Sequence, residues 1–376
     1  MKVLSPLKVA LFSGVLLMLG FVIGLGYQSY QNAEQHQKPA SKGTAQAPTA
    51  RGLRISPDDQ LLAFTAIYQQ FSQASRFVFD LKKSDWSAVE TPAGWQDSMV
   101  QWGKDGRTLL YERSKIPRIV IGAKAGLYSE KVLLNSDKPQ WKSQTPLAQN
   151  LSESGEKIYA GFWTPKDQLV VKTQHDDRSL FLAQNGKLTK IDHSPGTYYQ
   201  NRAIDNGGKE DFYVVRDVDR AGEKVGLFRI RQHKSTQLGP NFSDVIWAYL
   251  SENANWLLLC SNAANGQDWK WDLWKIESNG LQKIKTAQIP ADVIAVYWSP
   301  DFKHILGAVG NKLWLIDVPT LKVRQIGKRD DWHADDAAWL NHQNAVIVAS
   351  AGKLWKVDVA SGERQELWEF PKKYWE

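Results

Sequence analysis

The chain has 376 residues, 43% hydrophobic and 23% charged, which is enough apolar material for a packed core and excludes global disorder. Its formal net charge is +7, of which the first 50 residues carry +3. The mild surplus left for the remainder forms no basic stripe interleaved with aromatics, which argues against nucleic acid as a partner.

The N-terminus is read first. Residues 9–27 form nineteen consecutive positions without a charge. That is about the length a helix needs to cross a bilayer. Lys2 and Lys8 precede the run and no basic residue follows until Lys38. The positive-inside rule therefore predicts a cytoplasmic N-terminus at 1–8, a signal-anchor helix over 9–27, and export of everything beyond. The rival reading is a cleaved signal peptide ending near Gly24-Leu25-Gly26. No cysteine follows the run, so a lipoprotein anchor is excluded. Residues 28–50 are rich in Gln, Ala, Ser, Thr, Lys and Pro and predict a flexible linker. Random-coil scaling gives it a reach of roughly 25–30 Å.

Beyond residue 50 the chain repeats itself. Lys353-Leu354-Trp355-Lys356-Val357-Asp358 restates Lys312-Leu313-Trp314-Leu315-Ile316-Asp317 and Asp272-Leu273-Trp274-Lys275-Ile276-Glu277. The same aromatic slot runs backwards through Phe228, Phe181, Tyr128 and Phe77, with steps of 51, 53, 47, 46, 40 and 41 residues from Phe77 to Trp355. Alternating strands recurring at this spacing predict an all-β, seven-bladed β-propeller over 51–376, six or eight being the neighbouring counts. A second marker alternates with the first. Turn residues such as Ile55-Ser56-Pro57-Asp58, Trp102-Gly103-Lys104-Asp105, Trp163-Thr164-Pro165 and Trp298-Ser299-Pro300-Asp301 each precede an apolar strand. The periodic tryptophans 102, 163, 274, 298, 314, 339 and 355 are expected to fill the gaps between wedge-shaped blades. Cys260 lies in the apolar run Trp256–Cys260 and reads as a buried thiol.

The Ser-Pro-Asp turn followed by an apolar strand resembles the WD-like repeats of TolB-type periplasmic propellers. Those proteins carry six blades behind a small α/β domain, neither of which is read here. What the resemblance implies is an envelope propeller working through protein contacts.

Candidate site residues gather in the loops between second and third strands and in the joints between blades. Loop 173–178 carries His175, Asp176 and Asp177; joint 192–199 carries Asp192, His193, Tyr198 and Tyr199. Loop 216–223 carries Arg216, Asp217, Asp219 and Arg220; joint 327–336 carries Asp330, Asp331, Trp332, His333, Asp335 and Asp336. Asp and His at such density suit metal ligation or acid–base work, although a solvated polar loop is the plainer reading. Asp217-x-Asp219 begins like a calcium loop but lacks the later oxygen ligands. Trp269, Trp332 and Trp375, placed in loops or at the chain end, are candidate contact residues. No metal, cofactor or catalytic motif is assigned. The expected function is a scaffold in a bacterial envelope assembly, anchored in the membrane and contacting other envelope proteins. The alternatives are a periplasmic enzyme or small-ligand binder whose His175, His193 and His333 converge, and a subunit of a secretion or pilus machine.

Overall fold

The computed structural model describes residues 47–68, 73–115, 124–134, 138–146, 158–173, 176, 178–184, 187–206, 209–262, 268–290, 295–309, 312–327 and 334–375. The expected signal-anchor helix at 9–27 lies outside them. Among the described residues no helix is long and apolar enough to cross a membrane.

Twenty-eight strands are described, grouped into seven antiparallel four-stranded sheets. The blades span 49–90, 95–146, 158–193, 198–243, 245–290, 295–325 and 334–369. All seven repeated aromatics fall in third strands. The first inner strand starts at Thr49, two residues before the expected boundary.

The turn motif has a direct physical cause. Ser56 Oγ donates to Asp58 Oδ1 at 2.6 Å and accepts from the Leu61 amide at 2.9 Å, closing the turn between first and second strands. Asp59 then takes a positive φ of 54°. Ser299 repeats this with Asp301 and the His304 amide, and Ser251 with Asn253 and the Trp256 amide. A short polar side chain that bonds its own backbone favours a turn over a continuing strand.

Packing happens between blades. Seven apolar clusters are described, one for each neighbouring pair, including blade seven against blade one. The ring is thereby closed. Each sheet is contiguous in sequence, so no shared strand seals that last junction. Side chains do it instead. Phe64 and Phe77 of blade one stack at 5.1 Å, and Phe370 meets them edge-on at 5.9 and 5.4 Å. Asp59 accepts from the amides of Asn341 and His342 at 2.7 and 2.8 Å. Asp336 accepts from the Leu53 amide at 3.0 Å and from the Tyr297 hydroxyl.

Several residues expected in loops lie in strands. Asp192 and His193 end a fourth strand, Tyr198 and Tyr199 open the next inner strand, and Arg216 and Asp217 end a second strand. Asp335 and Asp336 belong to the inner strand Ala334–Trp339. Trp269 sits in the third strand Asp268–Glu277 and meets Trp247 at 4.9 Å. In each case the strand continues past the polar run because pairing with the next strand satisfies its backbone.

Candidate functional site

The joint between blades three and four brings most of the described candidates together in two layers. The inner layer is buried. Arg216 Nε donates to Asp192 Oδ2 at 2.9 Å, Tyr198 donates its hydroxyl to the same oxygen at 3.0 Å, and the guanidinium lies 3.7 Å from the Phe228 ring centre. Burial, and then the neighbouring Asp192 charge, hold the Tyr198 hydroxyl far above its ordinary value, so it stays protonated and donating. Asp217 turns inward and accepts from the Thr197 amide at 2.6 Å. Gly196 is required beside it, since a Cβ there would stand 2.2 Å from Asp217 Oδ2. Tyr199 is raised by burial and by the Asp217 charge.

The outer layer meets solvent. Lys190 Nζ donates to Asp176 Oδ2 at 3.0 Å, and His193 Nδ1 lies 2.9 Å from Ser179 Oγ. Burial pushes the Asp176 carboxyl up, but hydrogen bonds from Ser179 and Lys190 and the Lys190 charge prevail and hold it below its ordinary value. Ser, His and Asp side by side invite a catalytic-triad reading, and the geometry opposes it. A nucleophilic serine must be reachable, and its histidine must be oriented by the acid through the other ring nitrogen. Ser179 is fully buried, and the bonds of Asp176 run to Ser179 and Lys190.

The remaining candidates are dispersed. Asp219 accepts from the Glu223 amide at 3.3 Å in an exposed turn that also holds Arg220, while Asp217 points inward. The two carboxylates therefore do not share a calcium-like centre. Among the described residues no group of three His, Cys, Asp or Glu side chains is placed to hold a metal. Asp335 lies at the seam between blades seven and one. Burial pushes its carboxyl up to about 7; the Ala50 amide and Arg51 charge pull it down, and Asp336 raises it. Trp375 donates Nε1 to the Phe370 carbonyl at 2.8 Å and packs on the seam. Trp269 is half-buried in the core between blades five and six. His175, Asp177, Asp330, Asp331, Trp332 and His333 lie outside the described residues.

One buried charge network was not anticipated from the sequence, nor were two arginines on inner strands. Between blades one and two, Asp97 takes Arg76 at 2.8 Å and Arg113 at 2.7 Å, and Arg76 also reaches Glu130 at 2.8 Å. Arg54 and Arg202, both half-buried, lie on the first strands of blades one and four. The available signal was an arginine set among apolar neighbours: Leu53 and Ile55 flank Arg54, and Ala203 follows Arg202.

No protein-family model matches the chain, and no curated protein does. Among solved structures it is similar to the β-propeller domain of Cps50 (Swd1) from Myceliophteria thermophila, with a TM-score of 0.52 and 10% identity over 88% of this chain and 99% of that one. It is also similar to the propeller domain of the Trilobed protease from Pyrococcus furiosus, which has an open velcro topology (TM-score 0.50, 12% identity, 86% and 99% covered). A dihydro-heme d1 dehydrogenase aligns with a TM-score of 0.50 at 11% identity, over 88% of this chain and 68% of its own. At these identities the shared property is the fold, and the fold is a β-propeller.

Proposed function

We propose that this chain is a membrane-tethered extracytoplasmic scaffold whose propeller presents loops and rims to other proteins of a bacterial envelope. One observation carries the reading. The residues whose types suggest chemistry are engaged in joining blades, as Asp192, Tyr198, Arg216 and Asp217 are. What solvent meets at the joint of blades three and four is a rim of Asp176, Lys190 and His193 beside the exposed turn of Arg220. A mixed-charge rim on a rigid sheet edge suits recognition of a complementary protein surface. The uncharged run at 9–27 and the polar linker at 28–50 support the tether. The repeat-level resemblance to TolB-type propellers supports the envelope setting.

Photo-crosslinking in intact cells tests the proposal. A photoreactive residue at Asp176 or Arg220 is expected to give a discrete adduct with another envelope protein, and one at Ser235 on the outer edge of blade four is expected to give none. The absence of adducts from both rim positions would contradict the scaffold reading.

A further inference from the structure

The turns that join first to second and third to fourth strands lie on the face opposite the loops of Asp176 and Arg220. On that face a cleft of about 270 Å³ opens between blades three and four. Its floor is apolar: half-buried Leu182 and buried Ile191 come from blade three, buried Phe212 and Ile230 from blade four. The Lys166 amide donates to Glu210 Oε1 at 2.9 Å and ties the two blades at the cleft. Gln168, Gln232 and His233 complete the lining, and among the described residues their side chains make no hydrogen bond.

The seam between blades seven and one holds a cleft of about 210 Å³ in the equivalent place, and its lining groups are already used. His342 Nε2 lies 3.0 Å from the Pro57 carbonyl, Gln343 accepts from Lys356 Nζ at 2.6 Å, and Asp58 takes Arg107 at 3.0 Å. Those side chains hold the ring together, whereas Gln168, Gln232 and His233 do not. The hairpin of blade four adds an independent observation. Gln232 and His233 are the two central residues between paired Arg231 and Lys234, and both take a positive φ, 51° and 62°. A two-residue turn with this backbone favours Asn-Gly, because larger side chains crowd the chain in the left-handed region. Such strain persists where the side chains themselves have a task, and both of these line the cleft.

We propose that this cleft is a docking site for an extended segment of another protein, which seats one aliphatic or aromatic side chain on the apolar floor. The volume falls below the roughly 300–1,000 Å³ that drug-sized ligands fill, and so selects a single side chain over a whole small molecule. Two carboxamides and an imidazole set around that well offer donors and acceptors together, which matches the N–H and C=O groups of a peptide backbone. Lys166 and Glu210 carry opposite charges at its edge, which disfavours a strongly charged segment. The site rests on the scaffold reading for its class of partner. It lies on the other face from Asp176 and Arg220, so crosslinking there and docking here succeed or fail separately.

The test is selection of displayed random nine-residue peptides on the full-length protein in detergent, with counter-selection on Leu182→Trp, which fills the cleft. Enriched peptides are expected to share one aliphatic or aromatic side chain with uncharged neighbours. Titration of such a peptide should show binding weakened about tenfold or more by Leu182→Trp. Gln232→Asn combined with His233→Gly should weaken it about fivefold or more, as two hydrogen bonds are lost. Thr236→Ala, on the exposed outer strand, should change it by less than about twofold. The Asn-Gly turn relieves the backbone, so that variant's peptide-free melting midpoint should equal or exceed the parent's. The proposal is overturned if no peptide is enriched over counter-selection, if enriched peptides share no apolar side chain, if binding survives both cleft variants, or if the Asn-Gly variant melts lower than the parent.

Discussion

Asp335 shows how one side chain ties the ring junction to pH. It stands at an irregularity in strand pairing between Ala334 and Asp336, and its carboxyl titrates at about 7 because burial opposes its charge. In the unfolded chain it would titrate near 3.8. Between those values the native state holds a proton that the unfolded state has released, so stability falls as pH rises through this window. Above about pH 7 the full penalty stands, on the order of 2 kcal/mol after allowing for partial solvent access. Asp335→Asn removes it. The variant's melting midpoint should gain more over the parent at pH 8 than at pH 5, and an equal gain at both would show that Asp335 ionises freely. The same residue marks a limit of sequence reading. Its type suggested a ligand in a loop, whereas its partners lie on blade one, nearly the whole chain away. Asp336 likewise bonds Leu53 across 283 positions, and Asp59 bonds Asn341 across 282. Local pattern carries no trace of such partners.

Blades were legible for the opposite reason. A strand's period-2 alternation and a Ser-x-Asp turn are properties of a few adjacent residues, so the aromatic slot from Phe77 to Trp355 marked all seven third strands. Trp102 and Trp339 show what such a slot can add on an inner strand. Each donates Nε1 at 2.9 Å to a carbonyl of the preceding blade, Arg54 and Tyr297 respectively. The seam between blades seven and one is the element that periodicity does not describe. It depends on residues after the last strand, with Phe370 and Tyr374 packed on Phe77 at 5.4 and 5.2 Å. Phe370 is 2% exposed. Phe370→Ala should therefore cost about 3–5 kcal/mol, read as a lower urea midpoint by tryptophan fluorescence. A loss below about 1 kcal/mol would mean that the ring closes without its C-terminal tail.

At the scale of the whole molecule, a closed ring gives a rigid body with many loops, and the proposed tether would give that body a place to work. The two parts were read from different signals: the ring from repetition, the tether from one uncharged run and the lysines before it. Cys260 makes the second part measurable. It is 1% exposed, and burial pushes its thiol up to about 12, so it should resist maleimide at neutral pH. Ser235→Cys, on the exposed outer strand of blade four, supplies a reactive thiol against that silent background. Intact cells producing this variant at full length should be labelled by a membrane-impermeant maleimide as fully as lysed cells, with the parent protein unlabelled in both. Labelling of Ser235→Cys only after the inner membrane is broken would contradict the account.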